Sequence, residues 1–306
     1  MQRMEPTKRP SPFEAAAEQK SYRVADVQLA HCTQHNSAAV LCSTAGKIGR
    51  NGRSAAVGAT LFWLTCPYLN TIVARFERHG AVGALQKLLD ENEVVAAQHV
   101  SSHTVYEKRA QTLLSAERWA FFYSHFISAG ESTGGRKYGN AAVSHAKDLK
   151  CLHALVAQSL CGASNIIGDA ISQYILVLSE KVKTFEETLV TVNPRTSDSD
   201  NDGSSSVTDA ATPTAASPDD GDNNNNGKGE DNKKIDNSVV LKDAKESLDS
   251  VSALVSFVEC CAVANETTKG TSSLVLNADA ICTAACNVLT FLEGRPPRMR
   301  KKHRIN

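Results

Sequence analysis

The residues of this chain best placed to do chemistry are Cys151 and His153, which open the stretch KCLHALVAQSL at residues 150–160, just after a glycine-rich loop. A thiol near a helix N-terminus is stabilised as thiolate by the backbone N–H groups and the positive end of the helix dipole, and Lys150 adds a second favourable charge for a thiolate or an anionic ligand. His153 stands two positions along the helix, a spacing that turns it away from Cys151, so helical geometry alone does not pair them. A second set, His99, His103 and Tyr106, falls on one side of a longer helix at spacings of four and three. A His-x3-His pair can bind a metal, but the Glu of an HExxH zinc motif is absent, and a polar helical face is the favoured reading. In the loop SAGESTGGRKYGN, Gly134 and Gly135 with Arg136 and Lys137 would suit an anion, and a plain exposed connection explains the same residues equally well. Lys47, Arg50 and Arg53 lie among three glycines at residues 46–54, without the GxxxxGK[ST] spacing of a phosphate cradle, which leaves a solvated loop.

The elements that must position these groups follow from periodicity. Residues 24–30 and 37–42 carry β-branched and alternating apolar residues and read as two strands joined by a turn at 31–36. Residues 57–66 are the strongest strand, ended by Pro67, which cannot donate to a sheet ladder, so Cys66 stands at a strand terminus. Helical spacing then takes over, with a break at Gly80, a long helix over 93–126, a helix around 149–160 ended by Gly162, and another over 166–190. Residues 239–264 and 273–292 read as a helical hairpin returning to pack on the first domain. Cys260, Cys261, Cys282 and Cys286 fall on its apolar faces, where core packing is favoured over metal. The fold class expected is α+β: a mainly helical domain over 22–192 with a small N-terminal sheet, followed by an appended helical hairpin over 238–294.

Composition sets the limits. Of 306 residues, 42% are hydrophobic and 33 basic residues balance 33 acidic ones, so no net field recruits nucleic acid or a membrane surface. Residues 193–237, rich in Ser, Asp, Asn and Gly and lacking aromatics, are expected to be a disordered acidic insert, as is the N-terminus over 1–21. The basic run over 295–304 offers weak contact with nucleic acid or an acidic partner, a solvated tail being the default. No stretch approaches a membrane span, and the first residues contain no apolar signal core, so nine cysteines read as reduced thiols of an intracellular, cytoplasmic protein; Arg3, Lys8 and Arg9 leave organellar import open.

Several short motifs agree in order and spacing with one known family. AHC at residues 30–32, WLTCP at 63–67, RFExxG at 75–80, HxxY at 103–106, KCLHA at 150–154 and NxxG at 165–168 together resemble the bacterial family called domain of unknown function 501, over about residues 28–171. The chain departs from it at residues 57–60, which read VGAT in place of a PFPT-like pattern, and at Leu155 and Gln158, where further histidines would follow KCLH. The resemblance singles out Cys32, Cys66 and Cys151 among the nine cysteines, with His153 beside the last. Three sulfurs and an imidazole are a ligand set for zinc or an iron–sulfur cluster. Cys151 as a nucleophile and all three as buried packing are the competing readings. Two functions stay open: a metal- or thiol-dependent enzyme combining these groups with the glycine loop and with His103, Tyr106 and Arg109, or a non-catalytic scaffold binding protein or RNA through its helical surface and basic tail.

Overall fold

A computed structural model describes residues 27–43, 58–128, 135–192, 237–267 and 276–294. The expected N-terminal tail, the loop at 46–54, Gly134, the acidic insert before residue 237 and the basic tail lie outside the described residues. Strands β1 (Val27–Cys32) and β2 (Ser37–Cys42) form an antiparallel hairpin in which Cys32 faces Ser37 across the turn, and β3 (Phe62–Leu64) adds antiparallel to β2, giving the order β1-β2-β3. The four-residue turn needs a left-handed residue, which Asn36 supplies at φ 48°. The third strand is far shorter than its apolar run implies, because Thr65 and Cys66 swing both their N–H groups onto the single carbonyl of Ala39 and leave the ladder. The chain then enters helix α1 (Pro67–Arg78) with Cys66 as its N-cap.

Helices α2 (Ala81–Glu91) and α3 (Glu93–Leu113) follow, the latter capped by Asn92, whose side chain accepts from the N–H groups of Val94 and Val95. The continuous helix expected to residue 126 stops at Leu113. Ser115 caps a new short helix, α4 (Ala116–Phe122), and one π-turn (Tyr123–Ile127) ends the run. Beyond the loop come α5 (Leu152–Leu160) and the 27-residue α6 (Ile166–Val192), the central helix of the molecule. Its buried face, including Ile167, Ile171, Tyr174, Ile175, Leu178 and Val182, repeats at helical spacing. α5 crosses α6 with backbones nearly touching. A Cβ on Gly168 would stand 2.3 Å from the Leu155 carbonyl oxygen, so the glycine of the NxxG motif is required by contact. Asn165 of the same motif caps α6 by accepting from the Gly168 N–H at 2.7 Å and donates to the Leu155 carbonyl.

The C-terminal helices are α7 (Asn237–Leu248), α8 (Val251–Thr267) and α9 (Ala278–Glu293). Residues 239–264 do not form one helix. The axis bends by 47° between α7 and α8, next to Asp249, which pairs with both Arg75 and His79 of the α1 end. Both α8 and α9 pack on α6; α8 also covers α2 and α3, and α9 covers α1, β1 and β2. Among the described residues no single helix is long and apolar enough to cross a membrane.

One buried side chain ties these layers together. Ser43 donates to the Leu61 carbonyl across β2 and β3, so by antiparallel alternation Phe62 points its N–H and C=O away from β2, toward an open sheet edge. Asn140, fully buried, acts there as a substitute peptide group: Oδ1 accepts from Phe62 N at 2.9 Å and Leu61 N at 3.0 Å, while Nδ2 donates to the carbonyls of Phe62 at 2.8 Å and Ala154 at 2.9 Å. The loop that carries it thereby joins the sheet to α5.

Two candidate metal centres

The turn between β1 and β2 and the N-cap of α1 meet at one buried point. Ligating atoms of Cys32, His35 and Cys66 lie within 4.8 Å of one another, with His35 Nδ1 4.0 Å from Cys66 Sγ. Both cysteines are fully buried, whereas His35 is half-buried and packs edge-on against Tyr68. Cys282 of α9, also fully buried, stands close enough to interact with both Cys32 and Cys66, although it lies outside the set of three whose ligating atoms are all within 4.8 Å. Three thiols crowded together cannot all ionise without a cation. The neighbouring Cys282 and Cys66 draw the Cys32 thiol down, burial pushes Cys66 up, and the neighbouring Cys32 pushes Cys282 up.

Cys151 belongs to a different place. It is the N-cap of α5 in an extended conformation, φ −151°, so the helix begins at Leu152, three residues later than its apolar pattern implies. That conformation brings Cys151 Sγ to 4.0 Å from His153 Nδ1, a pairing that two helical residues could not make. Glu77 of α1 completes the group: its Oε1 lies 3.2 Å from His153 Nδ1 and accepts from the Leu152 N–H at 2.7 Å. The positive end of α5 is therefore filled by a carboxylate of the chain itself, and Lys150 is exposed on a cleft of about 470 Å3 that it shares with Gln86, Ser144 and Asp148. His153 Nε2 faces the Asn70 carbonyl at 3.1 Å and donates to it. Burial opposes the imidazolium, but Cys151 and the Glu77 carboxylate push His153 up to about 10. Glu77 is held low against its own burial by the same histidine and by the Leu152 amide. Glu77, Cys151 and His153 have ligating atoms within 4.8 Å of one another, and all three are half-buried. These are the two such groups of three among the described residues.

The other sequence candidates are held elsewhere. His103 Nε2 donates to the Ala146 carbonyl at 2.8 Å, Tyr106 Oη donates to the Ala59 carbonyl at 2.6 Å and accepts from Leu61 N, and Arg109 Nε donates to the Cys161 carbonyl at 3.0 Å. Each pins a loop or a helix end, and none joins either group of ligands. His99 and His103 stack edge to face, 5.1 Å between centroids, on the buried side of α3; burial and the neighbouring His103 push His99 down to about 4. Arg136 pairs with Glu107 at 2.7 Å and lies over the Tyr138 ring, and Gly135 takes a left-handed φ of 75° with open space around it.

Of the residues gathered at these two points, His35 and Glu77 were not singled out as ligands in the sequence, and Cys282 was expected as core packing. For His35 the signal was present as a Cys-x2-His spacing within a turn, a spacing short enough to bring both ligands to one ion. Glu77 is the Glu of the RFExxG motif, but its partners lie 75 or more residues along the chain, so spacing alone did not tie it to Cys151 and His153.

Residues 29–173 match the family model described as a protein of unknown function, DUF501. The two groups of ligands stand differently toward that match: Cys32, His35, Cys66, Glu77, Cys151 and His153 fall inside it, whereas Cys282 falls outside. No curated protein and no solved structure matches the chain.

Proposed function

We propose that this protein is a metal-dependent enzyme whose reactive centre is Glu77, Cys151 and His153. The observation that carries the reading is the orientation of His153: its Nε2–H is spent on the Asn70 carbonyl, which leaves Nδ1 to share one point with a thiol and a carboxylate. A ligating histidine is commonly fixed by donating its other ring N–H to a carbonyl, and three mixed protein ligands leave a fourth position for water or substrate, the pattern of catalytic zinc. Half-buried ligands keep that position within reach of solvent. A Cys⁻, Glu⁻ and neutral His set balances a divalent cation, and the ion would supply Lewis acidity and an activated water, so the reaction class is metal-assisted hydrolysis.

The pairing of Cys151 with a histidine held cationic supports a second reading, in which the thiolate itself is the nucleophile. The two separate cleanly on the full chain purified anaerobically. On the metal reading, elemental analysis finds zinc that Glu77→Gln and His153→Ala each lose, and bound metal shields Cys151 from iodoacetamide. On the thiol reading, Cys151 alkylates faster than a free thiol at neutral pH and His153→Ala slows it. A zinc content that Glu77→Gln and His153→Ala leave unchanged, together with an unreactive Cys151, would overturn both and return the chain to a scaffold acting through its surface.

A further inference from the structure

The second group of ligands carries an inference of its own, independent of any enzymatic role. We propose that Cys32, His35, Cys66 and Cys282 form a closed Cys3His zinc centre, in which the fourth ligand, supplied from outside the family-matched region, staples helix α9 to the sheet. Four protein ligands of these types, with no position left for solvent, are the signature of a structural zinc site.

Three observations converge on it. The first is composition and burial: Cys32, Cys66 and Cys282 are each fully buried where α9 packs on β1, β2 and α1, and an imidazole rather than a further apolar group lies beside Cys32 and Cys66. Apolar packing explains three small thiols, but not why a half-buried histidine turns Nδ1 toward Cys66. The second is local architecture. Cys32 and His35 sit on a tight hairpin turn at Cys-x2-His spacing, and Cys66 is the N-cap of α1, where the helix dipole favours a thiolate. The third is the way α9 is placed. Asp279, in its first turn, accepts from the Thr33 N–H at 2.7 Å and from Thr33 Oγ1 at 2.8 Å, and Gln34 Nε2 donates to Thr283 Oγ1 at 3.2 Å. These bonds clamp the turn that carries Cys32 and His35 against the face of α9 that carries Cys282. Three thiolates, a neutral imidazole and one zinc ion leave a net charge of −1.

The test uses the full chain carrying Cys151→Ser and His153→Ala, which empties the other centre so that the two proposals fail separately. Purified without chelator, this protein is expected to hold one zinc per chain, and X-ray absorption is expected to report three sulfurs at about 2.3 Å and one nitrogen. Adding Cys282→Ala should reduce the shell to two sulfurs and let a chelator remove the ion, whereas Cys286→Ala, one turn along the same helix, should leave both unchanged. Removing zinc should raise hydrogen exchange at the amides of residues 278–293, by about tenfold where zinc had stood at ten times its dissociation constant. Absence of zinc, a disulfide among the three cysteines, or an unchanged three-sulfur shell after Cys282→Ala overturns the proposal. If the Cys282 variant does not fold, the sulfur count of the parent decides: three supports the fourth ligand and two refutes it.

Discussion

Replacing Asn140 with alanine should unfold a large part of the stability margin through two backbone groups. Of the four groups its side chain serves, Leu61 N keeps the Tyr106 hydroxyl at 3.2 Å, and the Ala154 carbonyl keeps its place in the α5 ladder. Phe62 is different, because both its N–H and its C=O face the sheet edge that Asn140 fills, and the residue is 1% exposed. Each buried group left unpaired costs about 1–3 kcal/mol, which gives roughly 2–6 kcal/mol for the pair. That is a large share of the ~5–15 kcal/mol that separates a typical folded domain from its unfolded chain. Urea unfolding followed by far-UV circular dichroism would read the loss as a lower midpoint with an unchanged slope. Asn140→Asp is the sharper variant: it keeps an acceptor for Phe62 N but turns a carboxylate oxygen against the Phe62 and Ala154 carbonyls, so it should cost at least as much as alanine at neutral pH. A loss below about 1 kcal/mol for the alanine variant would refute the reasoning, since it would mean that water or a neighbouring group satisfies Phe62 without Asn140.

Gly168→Ala should destabilise by about 1–3 kcal/mol or more, because its Cβ would overlap the Leu155 carbonyl and push α5 off α6; thermal unfolding of the variant checks it. His99 should make the protein acid-sensitive. Its native pKa near 4 lies below the usual 6.5, so the unfolded chain binds more protons between those values; stability is full above pH 6.5 and falls as pH drops toward 4. Burial depresses His103 in the same direction. Unfolding free energies from urea titrations at pH 7 and pH 5 should differ by about 2 kcal/mol from His99 alone, and His99→Leu should flatten that slope. Arg75→Ala should remove the pairing that anchors the bend between α7 and α8, and limited proteolysis near residues 248–251 should speed up while Lys87→Ala, an exposed control, leaves it unchanged.

Much of this architecture is legible in the chain because it is local. The hairpin, the change from strand to helix at Pro67 and the apolar stripe of α6 are all written within a few residues of where they act. What was not legible depends on distant partners. The break at Ser115 is a local exception, a serine cap accepting from Arg118 N that the continuing apolar period masked, whereas the break at Asp249 sits where it meets Arg75, 174 residues away. The candidate sites divide the same way. Cys151 and His153 are conspicuous together, yet their pairing turns on Cys151 standing outside the helix, and Cys282 is indistinguishable by sequence from any small apolar residue on the face of α9. Asn140 lay inside a loop read as either anion site or plain connection, and the edge it fills was invisible until β3 proved short.

The bond from Thr33 to Asp279 spans 246 residues, and that separation matters while the chain is being made. At roughly 5–20 residues per second, synthesis takes on the order of 10–50 s between the emergence of the hairpin turn and that of α9. Throughout that interval Cys32 and Cys66 stand without the helix that will bury them, as two thiols open to whatever oxidants, metals and small thiols surround the nascent chain. The nascent chain is thus most vulnerable at its oldest residues, and a premature stop anywhere before residue 282 leaves them uncovered for good.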